Sequence, residues 1–196
     1  MHFSMRLMFW LWCAWALVWV IGALRSKATR RRESLGSRLA HVVPLAVGAA
    51  LLAWPARRWS ALAWRLWPPS PAADWIGVAL VMAGLAFAIW ARIHLGGNWS
   101  GTVTVKQGHE LIRSGPYGYV RHPIYTGLIT ALIGTTVASG AVQAAIGLGI
   151  IVAAFVRKSR TEEDFMRETF PGEYQRYSAE VPALIPFARP SHSMRR

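Results

Sequence analysis

The chain has 196 residues, which is enough for one domain. Apolar residues make up 54% of the chain and charged residues only 16%, below the roughly 25% of an ordinary soluble domain, so a soluble fold is excluded. The net charge of +13 could indicate a nucleic-acid partner, but the basic residues lie at the ends of apolar runs, as they do in membrane proteins, and we predict no nucleic-acid binding.

The first half of the chain contains three apolar runs, at Leu7–Leu24, Leu39–Trp54 and Trp75–Ile93. Each is long enough to be a transmembrane helix. A basic cluster, Arg25–Arg38, follows the first run, and Lys and Arg collect on the cytoplasmic side of membrane proteins. We therefore expect the N-terminus to lie outside. The loop Pro55–Asp74 is rich in Trp, which favours the water–lipid interface over a ligand-stacking site.

The second half begins with a polar segment, His94–Pro123, whose glycines and prolines predict loop and short irregular pieces. The following run, Ile124–Val156, carries no charge. At about 1.5 Å per residue it is too long for one crossing, and Ser139 and Gly140 lie near its middle. We predict two short spans joined by a tight hairpin, followed by a charged helix that ends at Pro171.

These elements predict an all-α integral membrane protein with about five transmembrane helices in the lipid bilayer. We divide it into N-terminal transmembrane helices, residues 1–93, and a core, residues 94–196. The hairpin makes spans four and five neighbours, so the polar segment before one and the helix leaving the other should meet at the cytoplasmic mouth. On that helix Lys158 and Glu162 are four residues apart, and Arg160 and Glu163 are three apart. Surface ion pairs are an alternative interpretation of these spacings.

Metal binding is not indicated by the sequence. The lone Cys13 excludes a cysteine cluster, and the histidines at 94, 109 and 122 lack the short spacing of metal ligands. We predict no metal site.

Three motifs together carry a resemblance to a known family. GPYGYVRHPIYTG is followed about 35 residues later by the pair Glu162 and Glu163, and then by FPGEYQRYSAEVPALIP. As an ordered set, covering about residues 95–186, these motifs resemble the isoprenylcysteine carboxyl methyltransferase family, whose relatives include phospholipid methyltransferases. Two departures are Lys158, where the family often has Arg, and Phe170-Pro171-Gly172, which is one residue longer than the family pattern.

The resemblance implies a site for S-adenosylmethionine (SAM) built from the C-terminal half. The implied cofactor-binding residues are His109, Glu110, Leu111, Ile112, Tyr117, His122, Pro123, Ile124, Tyr125, Glu162 and Glu163. These residue types suit the cofactor. A carboxylate can accept from its amino group or ribose, backbone N–H groups freed in a Gly/Pro turn can hold its carboxylate, and a Tyr face suits adenine or the sulfonium. Pro123 would fix the turn.

The expected activity is methyl transfer from SAM to a nucleophile on a lipophilic or small-molecule substrate, at the cytoplasmic face of a bacterial inner membrane. A prenylcysteine carboxylate, a phospholipid amine, a thiol and a lipid hydroxyl all remain candidates. Arg121 and Lys158 are the candidate catalytic residues, orienting an anionic nucleophile. Arg121 has an alternative role as a head-group or topology residue.

Two other functions remain possible at this stage. One is a NADPH-dependent sterol-type reductase of the membrane, because such enzymes share an RHPxY-like turn. The other is a non-catalytic membrane scaffold.

Overall fold

The computed structural model describes residues 3–23, 29–32, 34–53, 64–98, 104–106 and 111–188. This part of the chain is nearly all helical. Its α-helices are α1 Phe3–Ala23, α2 Leu35–Ala53, α3 Pro71–Leu95, α4 Pro123–Ser139, α5 Val142–Thr169 and α6 Glu173–Glu180.

The five predicted spans coincide with α1 to α5. Among the described residues, four helices (α1, α2, α3 and α5) are long and apolar enough to cross a membrane, and α4, with 17 residues, is shorter. The 28 residues of α5 extend over about 42 Å, more than the roughly 30 Å of a hydrocarbon core. The excess of about 12 Å is a little over two helical turns, so the charged C-terminal end of α5 extends past the length needed for one crossing.

Prolines and glycines set the helix boundaries at the positions expected from the sequence. Helix α3 begins with Pro71 after the N-cap Ser70, whose side chain accepts a hydrogen bond from the Ala73 backbone N–H at 3.1 Å. Helix α4 likewise begins with Pro123. It ends at Gly140, whose φ of +60° lies in the left-handed region that favours glycine. The predicted hairpin between spans four and five is therefore confirmed.

Helices α3 and α4 approach each other through small residues spaced seven apart. A Cβ atom placed on Gly77 would lie 2.6 Å from the Gly134 carbonyl oxygen, and one placed on Gly127 would lie 2.5 Å from the Gly84 carbonyl oxygen. Small residues at such crossings let two backbones pack closely, which stabilises helix pairs where lipid removes the hydrophobic driving force. This close crossing sets the position of the first turn of α4.

Helix α5 packs against α2 in a similar way. A Cβ on Gly48 would lie 2.7 Å from the Gly147 carbonyl oxygen and 2.5 Å from Cγ1 of Ile151. Helix α1 is joined to its neighbours by fewer contacts, among them a hydrogen bond from Trp12 Nε1 to Thr135 Oγ1 at 3.1 Å. Most side chains of α1 and α2 are exposed and apolar, as lipid-facing helices require.

One short sheet departs from the all-α prediction. Strand β1 (Thr29–Arg32) pairs antiparallel with β2 (Thr104–Lys106), with Arg31 opposite Val105 and Arg32 opposite Thr104. The sequence around β2, TVTVK, is rich in β-branched residues, which favour strands. The sequence predicts loop and short irregular pieces for this segment, and the three-residue strand β2 is one such short piece.

Candidate active site

The site is formed where the first turn of α4 faces the charged end of α5. A 3₁₀ turn, Gly115–Gly118, precedes α4, and His122 caps the helix in a non-helical conformation with φ −123° and ψ 61°. Because α4 and α5 are joined by a tight turn, the beginning of one helix lies beside the later part of the other. The Tyr125 hydroxyl donates a hydrogen bond to Oε1 of Glu162 at 2.5 Å. The two polar groups that the sequence predicted to be neighbours are therefore in contact.

Glu162 is the more accessible of the two adjacent glutamates. Its side chain is 25% exposed, whereas that of Glu163 is 9% exposed. Besides Tyr125, it approaches Nδ1 of His122 at 3.4 Å through Oε2, and Nζ of Lys158 at 3.9 Å through Oε1. Glu162 is therefore held in place by its neighbours, and a quarter of its side chain remains exposed.

Glu163 is buried and fully engaged with protein donors. Its Oε1 accepts from Arg121 Nε at 3.0 Å and Nη2 at 2.7 Å, and also from His122 Nε2 at 3.2 Å. Its Oε2 accepts from Arg167 Nη2 at 2.9 Å. Charge-assisted hydrogen bonds of this kind are strong and fix geometry, so Glu163 orders the site around it.

His122 lies between the two glutamates, with one ring nitrogen towards each. Burial disfavours its charged form, but the hydrogen bonds to Glu162 and Glu163 and the attraction of both carboxylates outweigh this effect and raise the pKa of His122. The ring donates from both nitrogens only when it is protonated. When His122 is protonated, it can therefore donate to both glutamates.

Three rings form a stack beneath this polar network. The ring centroids of His122 and Tyr125 are 5.6 Å apart with a 9° angle between planes, and those of Tyr125 and Phe155 are 4.7 Å apart with a 10° angle. Lys158 Nζ lies 5.6 Å from the Tyr125 ring centroid, within the range of a cation–π contact. The stack leads from the charged network into the apolar core, and Lys158 stands at the boundary between them.

Arg121 is occupied on every side by protein groups. In addition to Glu163, its Nη1 donates to the carbonyl oxygens of Ser178 at 3.0 Å and Val181 at 2.6 Å. The residue is 7% exposed. Arg121 therefore joins α5 to the C-terminal end of α6, and its guanidinium contacts are those of an organising residue.

The backbone of the turn is also engaged. The N–H groups of Arg121 and His122 donate to the carbonyl oxygens of Pro182 at 2.8 Å and Ala183 at 3.0 Å. The sequence suggested that backbone N–H groups of a Gly/Pro turn hold the cofactor carboxylate. The N–H groups of Arg121 and His122 are not available for this role, because they already donate to protein carbonyls. The Thr126 hydroxyl extends the contact by donating to the Leu184 carbonyl oxygen at 2.6 Å.

The remaining predicted residues have varied placements. His109 and Glu110 lie outside the described residues, and Leu111 and Ile112 lead into the 3₁₀ turn with partial burial. Pro123 and Ile124 are buried in the first turn of α4, and Tyr117 is buried in the turn before it. No group of three His, Cys, Asp or Glu side chains that could hold a metal occurs in the described part of the chain, and the absence of a metal remains a prediction.

Sequence reasoning missed several residues of the network. Arg167, four residues after Glu163, is the helical partner of that glutamate, whereas Arg160, which the spacing had suggested, is exposed. The i,i+4 spacing of Arg167 was visible in the sequence. Tyr177 lies in the FPGEYQRYSAEVPALIP motif, but the motif gave it no role. Phe155 carried no signal, because its role depends on which helices become neighbours.

Comparison with known proteins identifies the class to which this fold and site belong. The sequence model of the isoprenylcysteine carboxyl methyltransferase (ICMT) family matches residues 76–168. The predicted resemblance is thus confirmed, and the segment 76–168 belongs to that family of integral membrane proteins.

Individual proteins show the same similarity. Protein-S-isoprenylcysteine O-methyltransferase B of Arabidopsis thaliana is 27% identical over 114 residues, which cover 57% of this chain and 58% of the plant protein. The Homo sapiens protein-S-isoprenylcysteine O-methyltransferase is 30% identical over 129 residues, covering 63% of this chain and 45% of the human protein. The matches therefore span about half the length of these relatives.

A solved structure shows that the similarity extends to the fold. The eukaryotic intramembrane Ras methyltransferase ICMT superimposes with a TM-score of 0.50 at 20% sequence identity, covering 80% of this chain and 54% of that chain. At this identity the match concerns the fold alone.

Proposed function

We propose that the protein is a SAM-dependent membrane methyltransferase that acts on a lipophilic substrate. The observation that carries the proposal is the 2.5 Å hydrogen bond from Tyr125 to Glu162, because it joins the RHPxY turn to the glutamate that follows the last span. The names of the relatives, which are O-methyltransferases, support the same reaction class.

The chemistry of the site fits the cofactor. Glu162 offers a partly exposed carboxylate that can accept from an amino group or a ribose hydroxyl. A face of the Tyr117 ring suits adenine or a sulfonium, whereas the Tyr125 ring already stacks between the rings of His122 and Phe155. Since the N–H groups of Arg121 and His122 are occupied, the segment His109–Ile112 is the better candidate for holding the amino-acid end of the cofactor. When bound, the cofactor supplies an electrophilic methyl group attached to a sulfonium.

The two glutamates then have different roles. Glu162 binds the cofactor directly. Glu163 already accepts hydrogen bonds from Arg121, His122 and Arg167, so we assign it the role of positioning His122 and Arg121. Arg121 acts as a positioning residue, since its guanidinium is committed to Glu163 and two backbone carbonyls.

Lys158 is the proposed catalytic residue. It is 8% exposed and stands between the charged network and the aromatic stack, where an anionic nucleophile on an apolar chain would meet the cofactor. Methyl transfer of this kind is an in-line displacement that needs alignment and exclusion of water. A lysine ammonium attracts a carboxylate as a point charge, without the two-pronged geometry of an arginine. A carboxylate on a lipid-like chain is accordingly the substrate class we favour.

The proposed arrangement in the cell follows from the basic residues. We place the N-terminus outside and the active site at the cytoplasmic face of a bacterial inner membrane. Residues 1–93 would provide the N-terminal spans and residues 94–196 the catalytic core. Helix α3 contributes to both parts, because it packs closely on α4 and the family match begins within it.

Transfer of a labelled methyl group tests the proposal. Purified protein in detergent, incubated with methyl-labelled SAM and a farnesylcysteine analogue with a free carboxylate, should form a base-labile methyl ester. Lys158→Met should lower the rate by about tenfold or more, since a charged contact to the nucleophile is worth roughly 1.5–3 kcal/mol. Arg157→Met removes an exposed charge one residue away and should leave the rate within about twofold of the parent. Binding of NADPH instead of SAM would contradict the proposal.

A further inference from the structure

Helix α6 and residues 181–184, which contact the candidate site, lie beyond the segment that matches the family model, which ends at residue 168. Residues 182 and 183 nevertheless accept hydrogen bonds from the backbone of Arg121 and His122, directly before α4. The central contact is a hydrogen bond from the Tyr177 hydroxyl to the Tyr117 carbonyl oxygen, 2.7 Å long and buried. Residues far apart in sequence therefore hold one carbonyl of the Gly115–Gly118 turn.

Tyr177 is suited to this role by its burial. It is 4% exposed, and burial raises the pKa of its hydroxyl, so the group remains a hydrogen-bond donor throughout the physiological range. Another side-chain link, from Arg113 just before the turn to Glu173 of α6 at 3.3 Å, joins side chains that are 50% and 41% exposed. Exposed ion pairs contribute little, so the buried Tyr177 contact is the stronger restraint on the turn.

The restraint acts on Tyr117, which is one of the proposed cofactor-binding residues. The Tyr117 ring lies 6.4 Å from the His94 ring, with a 25° angle between their planes. His94 is itself held by a hydrogen bond between its Nε2 and the Ser114 hydroxyl at 2.9 Å. The ring of Tyr117 is therefore fixed on one side by His94, while its carbonyl is fixed by Tyr177.

We propose that Tyr177 is a positioning residue for the cofactor: by holding the Tyr117 carbonyl, it keeps the turn and the Tyr117 ring in the geometry that SAM requires. This inference rests on the proposed function. It assigns a role in cofactor binding to α6, a helix that has no direct contact with the Glu162 carboxylate among the described contacts. Without the Tyr177 hydroxyl, the buried carbonyl of Tyr117 loses this hydrogen bond. An unsatisfied buried carbonyl is unfavourable, so the Gly115–Gly118 turn should rearrange.

Helix α6 offers a matched pair of substitutions. Tyr177→Phe removes the hydroxyl that binds Tyr117. Tyr174→Phe makes the same change three residues earlier, at a side chain that is 3% exposed and whose hydroxyl makes no hydrogen bond within the described part of the chain. The stacking of Arg167 on the Tyr174 ring, at 5.9 Å, is compatible with Phe. The two variants thus differ in the loss of one hydrogen bond.

The test measures SAM affinity, steady-state kinetics and hydrogen exchange on both variants and the parent. Tyr177→Phe should raise the Kd and KM for SAM about fivefold to tenfold and leave kcat within about twofold, because a lost buried hydrogen bond acts on binding. Amide exchange of the peptide covering residues 111–122 should become faster without SAM. Tyr174→Phe should match the parent in all three measurements.

The outcomes separate the inference from the proposed function. If the parent binds SAM and Tyr177→Phe binds it as tightly as Tyr174→Phe does, the positioning role is wrong and the proposed function stands. A lower kcat with an unchanged KM for SAM would likewise overturn the positioning role. If the parent itself binds no SAM, both proposals fail. Exchange in residues 111–122 is measured on the folded protein without ligand, so it tests the restraint even if affinity is too weak to quantify.

Discussion

Glu162 and Glu163 are adjacent on α5, but they point in different directions and have different chemical roles. Glu163 points into the protein and accepts from Arg121, His122 and Arg167, while Glu162 keeps a quarter of its side chain exposed. The sequence predicted that the pair belongs to the site. It could not predict the division of roles, which depends on the rotation of α5 against α4.

The stability of the two glutamate variants should differ because of this division. Glu163→Gln leaves the buried Arg121 guanidinium facing a neutral amide, and breaking a buried ion pair destabilises a protein by about 3–5 kcal/mol. Glu162→Gln alters a partly exposed group and should cost about 1 kcal/mol or less. Thermal unfolding in detergent, followed by circular dichroism, measures both. Equal shifts in Tm would contradict the assignment of Glu163 as the organising residue.

His122 should make the stability of the protein depend on pH. Its pKa is raised in the folded state, despite burial, by Glu162 and Glu163. The stabilisation is therefore fully present below the ordinary histidine pKa of about 6.5 and is lost as the pH rises through the higher folded-state pKa.

The corresponding measurement is the Tm of the SAM-free protein at a series of pH values from 6 upward. The parent should lose stability as the pH rises, and His122→Asn should lose much less over the same range. A parent Tm that is constant or increases through this range, with the variant behaving identically, would show that His122 is not protonated in the folded state.

At the level of the elements, the tight turn at Gly140 explains why α4 and α5 present their polar ends together, and glycine spacing explains how α4 packs against α3. The sequence predicted the spans, the hairpin at Gly140 and the helix that continues past Val156. It did not predict which helices pair, because Gly77, Gly84, Gly127 and Gly134 look like ordinary small residues until their backbones are seen to cross. Which helices pack together depends on the complementary shapes of two helix surfaces, and the residue pattern of one helix does not reveal its partner.

Substitution of a glycine at this crossing should destabilise the protein. Gly127→Ala places a Cβ 2.5 Å from the Gly84 carbonyl oxygen, so α3 and α4 must move apart, at a cost of about 1–3 kcal/mol. The matched control is Gly149→Ala on α5, where a Cβ meets nothing within 4 Å. Unfolding in detergent should show a lower Tm for the first variant and an unchanged or higher one for the second. Equal tolerance of both changes would refute the close crossing.

At the scale of the whole molecule, the arrangement of the helices gathers the candidate site at one end of the α4–α5 hairpin. The site contains the beginning of α4 and the charged end of α5, which lie at the same end of the hairpin. The basic cluster after α1 predicts that this end is cytoplasmic, whereas the arginines of the loop before α3 weaken the charge asymmetry. Sequence alone therefore predicts the relative topology better than the absolute orientation.

Reporter fusions test the orientation. Alkaline phosphatase inserted in the loop between α2 and α3, at residue 70, should be active, because this enzyme requires an oxidising compartment outside the cytoplasm. Green fluorescent protein fused after the last residue should fluoresce in the cytoplasm. The reverse pattern would place the site outside and contradict the proposed cytoplasmic entry of the cofactor.

The most direct test of the central claim is the binding of SAM to the purified protein in detergent, measured by calorimetry. The parent should bind with a stoichiometry of one, and Glu162→Ala and His122→Ala should each weaken binding at least about tenfold, since each removes a charged hydrogen-bonding group from the site. Asp164→Ala, at a 69% exposed neighbour, serves as the control and should bind like the parent. If Glu162→Ala and His122→Ala bind SAM as tightly as Asp164→Ala does, the cofactor does not bind at the contact between the RHPxY turn and α5.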